Sequence, residues 1–233
     1  MNWVVDNWVQ VAQYAGQHMV LAIVPIIVGT VLSLPIGWVA NRRRWSRGTI
    51  LGAAGILYAI PSLPLFVVMP ALIGTRILDP INVVVALTLY ALALMVRTTA
   101  DALASVPNEL RLSSQAIGFS AWQRFWGVEL PAAGPVLLAG IRVVSVSTVS
   151  LVTVGALIGV QSLGYFFVNG YQRAFPTEIA VGVIGTVAIA LIFDACLVLL
   201  GRLLMPWTRV SRQVRPANRA AGRSTIETAG AHA

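Results

Sequence analysis

Residues 178–204, EIAVGVIGTVAIALIFDACLVLLGRLL, hold a single acid in their interior, Asp194, and no base before Arg202. A helix needs roughly 20 mostly apolar residues to cross a hydrocarbon layer about 30 Å thick, and this stretch supplies them. Working outward, four more blocks of the same kind lie at roughly residues 19–40, 50–73, 81–100 and 133–159. Lipid offers the backbone no hydrogen-bond partners. The blocks also lack the alternation of barrel strands, so helices are the form that can span. The predicted fold is therefore all-α, a polytopic membrane protein of about five transmembrane helices.

Composition agrees. The chain is 58% apolar and 10% charged with a mean hydropathy of +0.82, too apolar for an ordinary water-soluble domain. Its formal charge of +8 comes from sixteen basic residues, all arginine, bunched beside apolar blocks with no aromatic-interleaved basic groove. That pattern points to a membrane surface and away from nucleic acid. One cysteine, Cys196, allows no internal disulfide and no thiolate metal site. No Lys or Arg precedes the first block, the wrong flank for a cleaved signal, so the first span is expected to be retained.

Charge sets the expected orientation. Arg42, Arg43, Arg44 and Arg47 follow the first block, and Arg202, Arg209, Arg212, Arg215, Arg219 and Arg223 end or follow the fifth, so those ends are expected in the cytoplasm. Threading from there makes 1–18 an extracytoplasmic N-terminal segment, 19–204 the transmembrane domain with a cytoplasmic loop at 101–132, and 205–233 a basic, disordered cytoplasmic tail. Pro61, Pro64 and Pro70 interrupt the second block, predicting a kinked span, either a gate element or ordinary membrane proline.

The loop before the fourth block carries the most pattern. Pro107 suits a first helical turn, Leu110 and Ile117 share a face, and Gly118 can stop the helix in the left-handed conformation. Ser120 with Gln123 forms a capping box opening a second short helix. On it Trp122, Phe125 and Trp126 make an aromatic face, and Pro131 can open the next span. Such a face either fills a groove in a partner protein or lies in the lipid interface.

Gly118, nine residues, then Val128-Glu129-Leu130-Pro131 resembles the G-x9-I-x-L-P part of the signature loop of ABC importer permeases. Where that family has Glu-Ala-Ala, this chain has Leu112-Ser113-Ser114. Ile60-Pro61-Ser62-Leu63, Leu89-Tyr90-Ala91-Leu92, Arg97-Thr98, Gly140-Ile141-Arg142, Gly155-Ala156-Leu157-Ile158-Gly159 and Leu163-Gly164 are similar to the osmoprotectant branch, over about residues 20–200. The resemblance implies a type I importer permease for compatible solutes such as glycine betaine, carnitine, choline or proline betaine. It implies as partners two copies of an ABC ATPase, a second permease, identical or sister, and an extracytoplasmic binding protein. Gly118, Phe119, Ser120, Trp122, Phe125, Trp126, Leu130 and Pro131 would form the ATPase-coupling loop. No G-x4-G-K-[ST] loop is present and the chain has no lysine, so ATP and Mg are expected on the partner ATPase, with no cofactor on this chain.

Polar residues inside the spans leave alternatives open. Pro61, Ser62, Tyr90, Ser145, Thr148, Ser150 and Thr153 are candidates for a pathway or gate. The hydroxyls suit helix packing equally well, and Tyr58 and Tyr90 are either weak stacking platforms or packed aromatics. Asp194 must face a partner or water, and Arg142 is its candidate ion-pair partner. His18 reads as interfacial. A methionine-type importer has a similar span count and loop. A self-contained secondary transporter or channel would show inverted repeats, midplane charge clusters or a filter, and an intramembrane enzyme a catalytic constellation; none is visible.

Overall fold

A computed structural model describes residues 2–209; the basic tail beyond them lies outside the described residues. Ten α-helices follow one another: α1 Asn2–Asp6, α2 Trp8–Ala40, α3 Arg44–Ala59, α4 Ser62–Ile73, α5 Pro80–Ala104, α6 Asn108–Ala116, α7 Ala121–Arg124, α8 Leu130–Val154, α9 Gly164–Gln172 and α10 Pro176–Leu204. Among the described residues four continuous helical stretches are long and apolar enough to cross a membrane, and the α3–α4 pair makes a fifth if it counts as one broken span.

α2, α5, α8 and α10 pack side by side in chain order, α3 and α4 lean on α5, and α9 sits against α10. Lipid is as apolar as leucine, so these helices are held by close approach and hydrogen bonds more than by water exclusion. The α2–α5 contact shows how. Gly29, Ser33 and Gly37 repeat every four residues along one side of α2. A side chain at Gly29 would come within 2.7 Å of Ala91 Cβ and 2.9 Å of the Leu92 nitrogen, and one at Gly37 within 2.6 Å of Thr99. Between them the Ser33 and Thr99 hydroxyls lie 3.1 Å apart, and Asn41 Nδ2 donates to the Ala100 carbonyl at 2.7 Å.

The first span differs from the expected 19–40. α2 is 33 residues long and starts at Trp8. Its first turns look half-polar in sequence; Trp8 and Val9 stay exposed, but Tyr14 packs inward and meets the rings of Tyr165 and Phe166 at 5.1 and 5.5 Å. His18, read as interfacial, is fully buried, and its Nε2–H donates to the Val149 carbonyl of α8 at 3.0 Å. The ring thereby ties the first span to the fourth.

The second span is more than kinked. α3 and α4 meet at 100° across Ile60–Pro61. Pro61 has no N–H for the Leu57 carbonyl, and Pro64 has none for Ile60, so two helical bonds three residues apart cannot form. The Leu57 carbonyl accepts the Ile60 N–H at 3.4 Å instead, and the Tyr90 hydroxyl donates to the Ile60 carbonyl. Tyr90 is 5% exposed, and Tyr58 lies edge-on against it at 5.8 Å.

Candidate functional site

The arginine-rich end gathers the loop residues. α6 ends at Ala116, and Gly118 follows at φ +88°, a backbone that only glycine adopts without strain. The chain then turns into α7. Ser120 Oγ accepts the Gln123 N–H, and Gln123 Oε1 accepts the Ser120 N–H at 2.9 Å, so both halves of the capping box form. Pro107 stands just before α6 as its capping residue, and Leu110 and Ile117 are both exposed.

Beyond Arg124 the helix does not stop. Phe125–Glu129 form a π turn leading directly into α8, so Pro131 sits in the first turn of α8 with no break before it. The Leu130 N–H bonds to the carbonyl of Phe125, five residues back. A π turn therefore aligns residues at i and i+5 that an α-helix would hold apart. Arg124 and Glu129 have this spacing, and Arg124 Nε donates to Glu129 Oε1 at 2.9 Å. Arg111 of α6 reaches the same oxygen at 3.6 Å and donates through Nη2 to the Leu103 carbonyl. The Glu129 side chain is 8% exposed, and the clasp joins α6, α7 and the foot of α8.

The same turn divides the aromatic face. Trp122 and Trp126 remain 57% and 47% exposed and Phe119 38%, but Phe125, expected beside them, is 1% exposed in a core with Leu103, Val106 and Leu137. Phe125 is thus an anchor. Its ring lies 5.4 Å from Trp38 of α2, Trp122 lies 5.8 Å from the same indole, and the Arg42 guanidinium covers that indole at 4.0 Å. Arg47 Nη2 donates to Asp101 Oδ1 at 2.5 Å and ties α3 to α5 nearby.

Trp38, Arg111, Arg124 and Glu129 were not among the sequence candidates. The i, i+5 spacing of Arg124 and Glu129 was the available signal, but it has meaning only inside a π turn. Replacing Glu129 with alanine strands the Arg124 head, which is 19% exposed, at a cost of about 1–3 kcal/mol. The expected result is a chain that inserts normally yet shows faster proteolysis between Pro107 and Pro131. Protection equal to the parent's would refute the clasp.

The remaining candidates lie deeper. Ser145 and Thr148 are buried, Ser150 is exposed, and Thr153 is half-buried, its hydroxyl donating to the Ser150 carbonyl at 2.6 Å. Pro61 is exposed and Ser62 half-buried at the helix break. Arg142 Nε and Nη2 donate to the two oxygens of Asp194 at 2.6 and 2.8 Å, a two-pronged pair joining α8 to α10. Among the described residues no cluster of His, Cys, Asp or Glu could hold a metal ion.

An all-helical, multi-pass body with an exposed, capped corner at its basic end has the form of a transport permease. The chain belongs to the family of binding-protein-dependent transport system inner membrane components, matched over residues 29–210. It is 32% identical to the osmoprotectant import permease protein OsmW of Salmonella typhimurium over 88% of this chain and 97% of that one. It is 25% identical to the glycine betaine/carnitine/choline transport system permease protein OpuCB of Bacillus subtilis over 88% and 94%. In fold it is similar to a chain of the MetNI methionine ABC transporter solved in an inward-facing conformation, with a TM-score of 0.77 at 22% identity over 85% of this chain and 98% of that one.

Proposed function

We propose that this chain is the membrane-spanning subunit of an ATP-driven importer of compatible solutes of the glycine betaine, carnitine, choline or proline betaine kind. The observation carrying this reading is the similarity, over 82–88% of this chain, to permeases named for osmoprotectants, glycine betaine, carnitine and choline, joined to an exposed, capped corner. Gly118 turns the chain, the capping box starts α7, and Trp122, Trp126 and Phe119 stand exposed at the basic end. Half-exposed indoles fixed on a rigid helix suit a groove in a partner.

In this reading that end is cytoplasmic, the N-terminus lies outside, and the aromatic helix inserts into an ATPase subunit. Two ATPase copies bind and hydrolyse ATP with Mg, while this chain carries no cofactor. A second permease, identical or sister, completes the pathway, and an extracytoplasmic protein delivers the solute. The mechanism is mechanical. Closure of the ATPase pair drags the α6–α7 corner, and because α7 runs through the π turn into α8, the displacement passes to the spans as rigid-body motion.

The test is uptake of labelled glycine betaine by vesicles holding this chain, its ATPase and its binding protein. ATP-dependent uptake that carnitine, choline and proline betaine compete away is the expected result. Uptake indifferent to ATP would overturn the importer reading, and ATP-dependent uptake of methionine alone would replace the cargo.

A further inference from the structure

The Arg142–Asp194 pair differs from the Glu129 clasp in one respect. The clasp is enclosed, with side chains 8% and 19% exposed, whereas Arg142 and Asp194 are 42% and 29% exposed. Arg142 lies about 18 Å along α8 from Leu130, and Asp194 about 15 Å along α10 from Leu204, at a rise of 1.5 Å per residue. In a hydrocarbon layer about 30 Å thick, both depths fall near its middle. A charged pair left open to lipid at that depth is strongly disfavoured, and intramembrane charges face protein or a water-filled cavity. Elsewhere α10 turns Ile184 and Leu199 outward, 68% and 56% exposed, as a lipid-facing surface does.

We propose that Arg142 and Asp194 face the aqueous solute route and form a passing site for a zwitterion that carries a carboxylate and a fixed positive charge. This rests on the compatible-solute reading above. Arg142 holds Asp194 through Nε and Nη2, and its Nη1 makes no hydrogen bond among the described residues. A solute carboxylate can take Nη1 and then share Nη2, while the Asp194 carboxylate swings toward the solute cation. Each charge keeps a partner throughout, and the site has no net charge before, during or after the exchange. A neutral zwitterion therefore passes without leaving an unpaired charge. A plain quaternary cation lacks the group that engages Arg142, so betaines should be preferred over choline at this step.

Two readouts test this in the complete transporter. Val146 lies one turn beyond Arg142 on α8 and is 46% exposed. In a Cys196→Ser background, Val146→Cys should react with a membrane-impermeant, positively charged thiol reagent, and glycine betaine should slow the reaction. Failure to react would mean that this face is covered or lipid-bound, and would overturn the proposal whatever the cargo. Asp194→Asn should raise the KM for glycine betaine uptake roughly tenfold, the loss of one charge-assisted contact, with membrane abundance near that of the parent. Reduced abundance at an unchanged KM would make the pair purely structural and also overturn it. If the parent transports no betaine while Val146→Cys still reacts, the cargo reading fails and the aqueous face stands.

Discussion

Replacing Gly118 with valine should abolish ATP-dependent solute uptake while leaving the amount of protein in the membrane close to the parent's. Gly118 has φ +88°, and nothing lies within 4 Å of where its Cβ would be, so the substitution meets no steric obstacle. Its whole effect is on the backbone. The left-handed conformation costs an L-residue about 1–2 kcal/mol, more for a β-branched one, and the chain can escape that cost by reopening the corner. Reopening it displaces α6 and Phe119 from α7, which Phe125 and the Arg124–Glu129 pair hold on α8, and so breaks up the exposed surface that Phe119 shares with Trp122 and Trp126. The spans do not depend on the corner, so insertion survives. Gly118→Asn separates conformation from side-chain loss, since asparagine tolerates this region best after glycine. The asparagine variant should retain most uptake. Parental uptake by the valine variant would show that the corner does not couple.

The opposite failure is expected at Gly164. A Cβ there would stand 2.2 Å from the Thr153 carbonyl oxygen, 2.7 Å from its Cα and 2.8 Å from its carbonyl carbon. All three are backbone atoms, so no rotamer change relieves the clash. α9 must lift off the end of α8, opening the core where Leu163 and Phe166 are both fully buried. Overpacking of a close-packed interior costs about 1–3 kcal/mol when side chains can yield, and here they cannot. Gly164→Ala should therefore lose most of its folded protein by membrane abundance and detergent thermal stability. Gly52→Ala is the matched control, because nothing lies within 4 Å of that position, and it should be indistinguishable from the parent. Normal abundance of Gly164→Ala would mean that α9 does not approach α8 so closely.

The sequence-legible and sequence-silent parts of this molecule divide along a physical line. Span positions depend on local apolarity, and blocks placed at 81–100 and 178–204 are helices at Pro80–Ala104 and Pro176–Leu204. The corner is equally local, since a glycine and a Ser-x-x-Gln box act within a few residues. What escaped depends on contacts distant in sequence. The early start of α2 needs the rings of Tyr165 and Phe166 to receive Tyr14, and the burial of His18 needs the Val149 carbonyl, 131 residues away. Prolines announce that the second span breaks, but the 100° angle is set by what α4 finds to lean on. The π turn leaves hardly any mark in composition, so Phe125 read as exposed, and Glu129, quoted only as part of the signature motif, was given no role.

That turn has a consequence for leverage. From Ala121 to Val154 the helix is unbroken, about 50 Å at 1.5 Å per residue. A rod of that length pivoting at its foot converts a tilt of about 5° into a sweep of about 4 Å at the far tip. A flexible joint between α7 and α8 would absorb such a tilt locally. The helix runs through the π turn without a break, so a small tilt imposed at Trp122 and Trp126 would arrive magnified beside Gly155, at the far end of the helix.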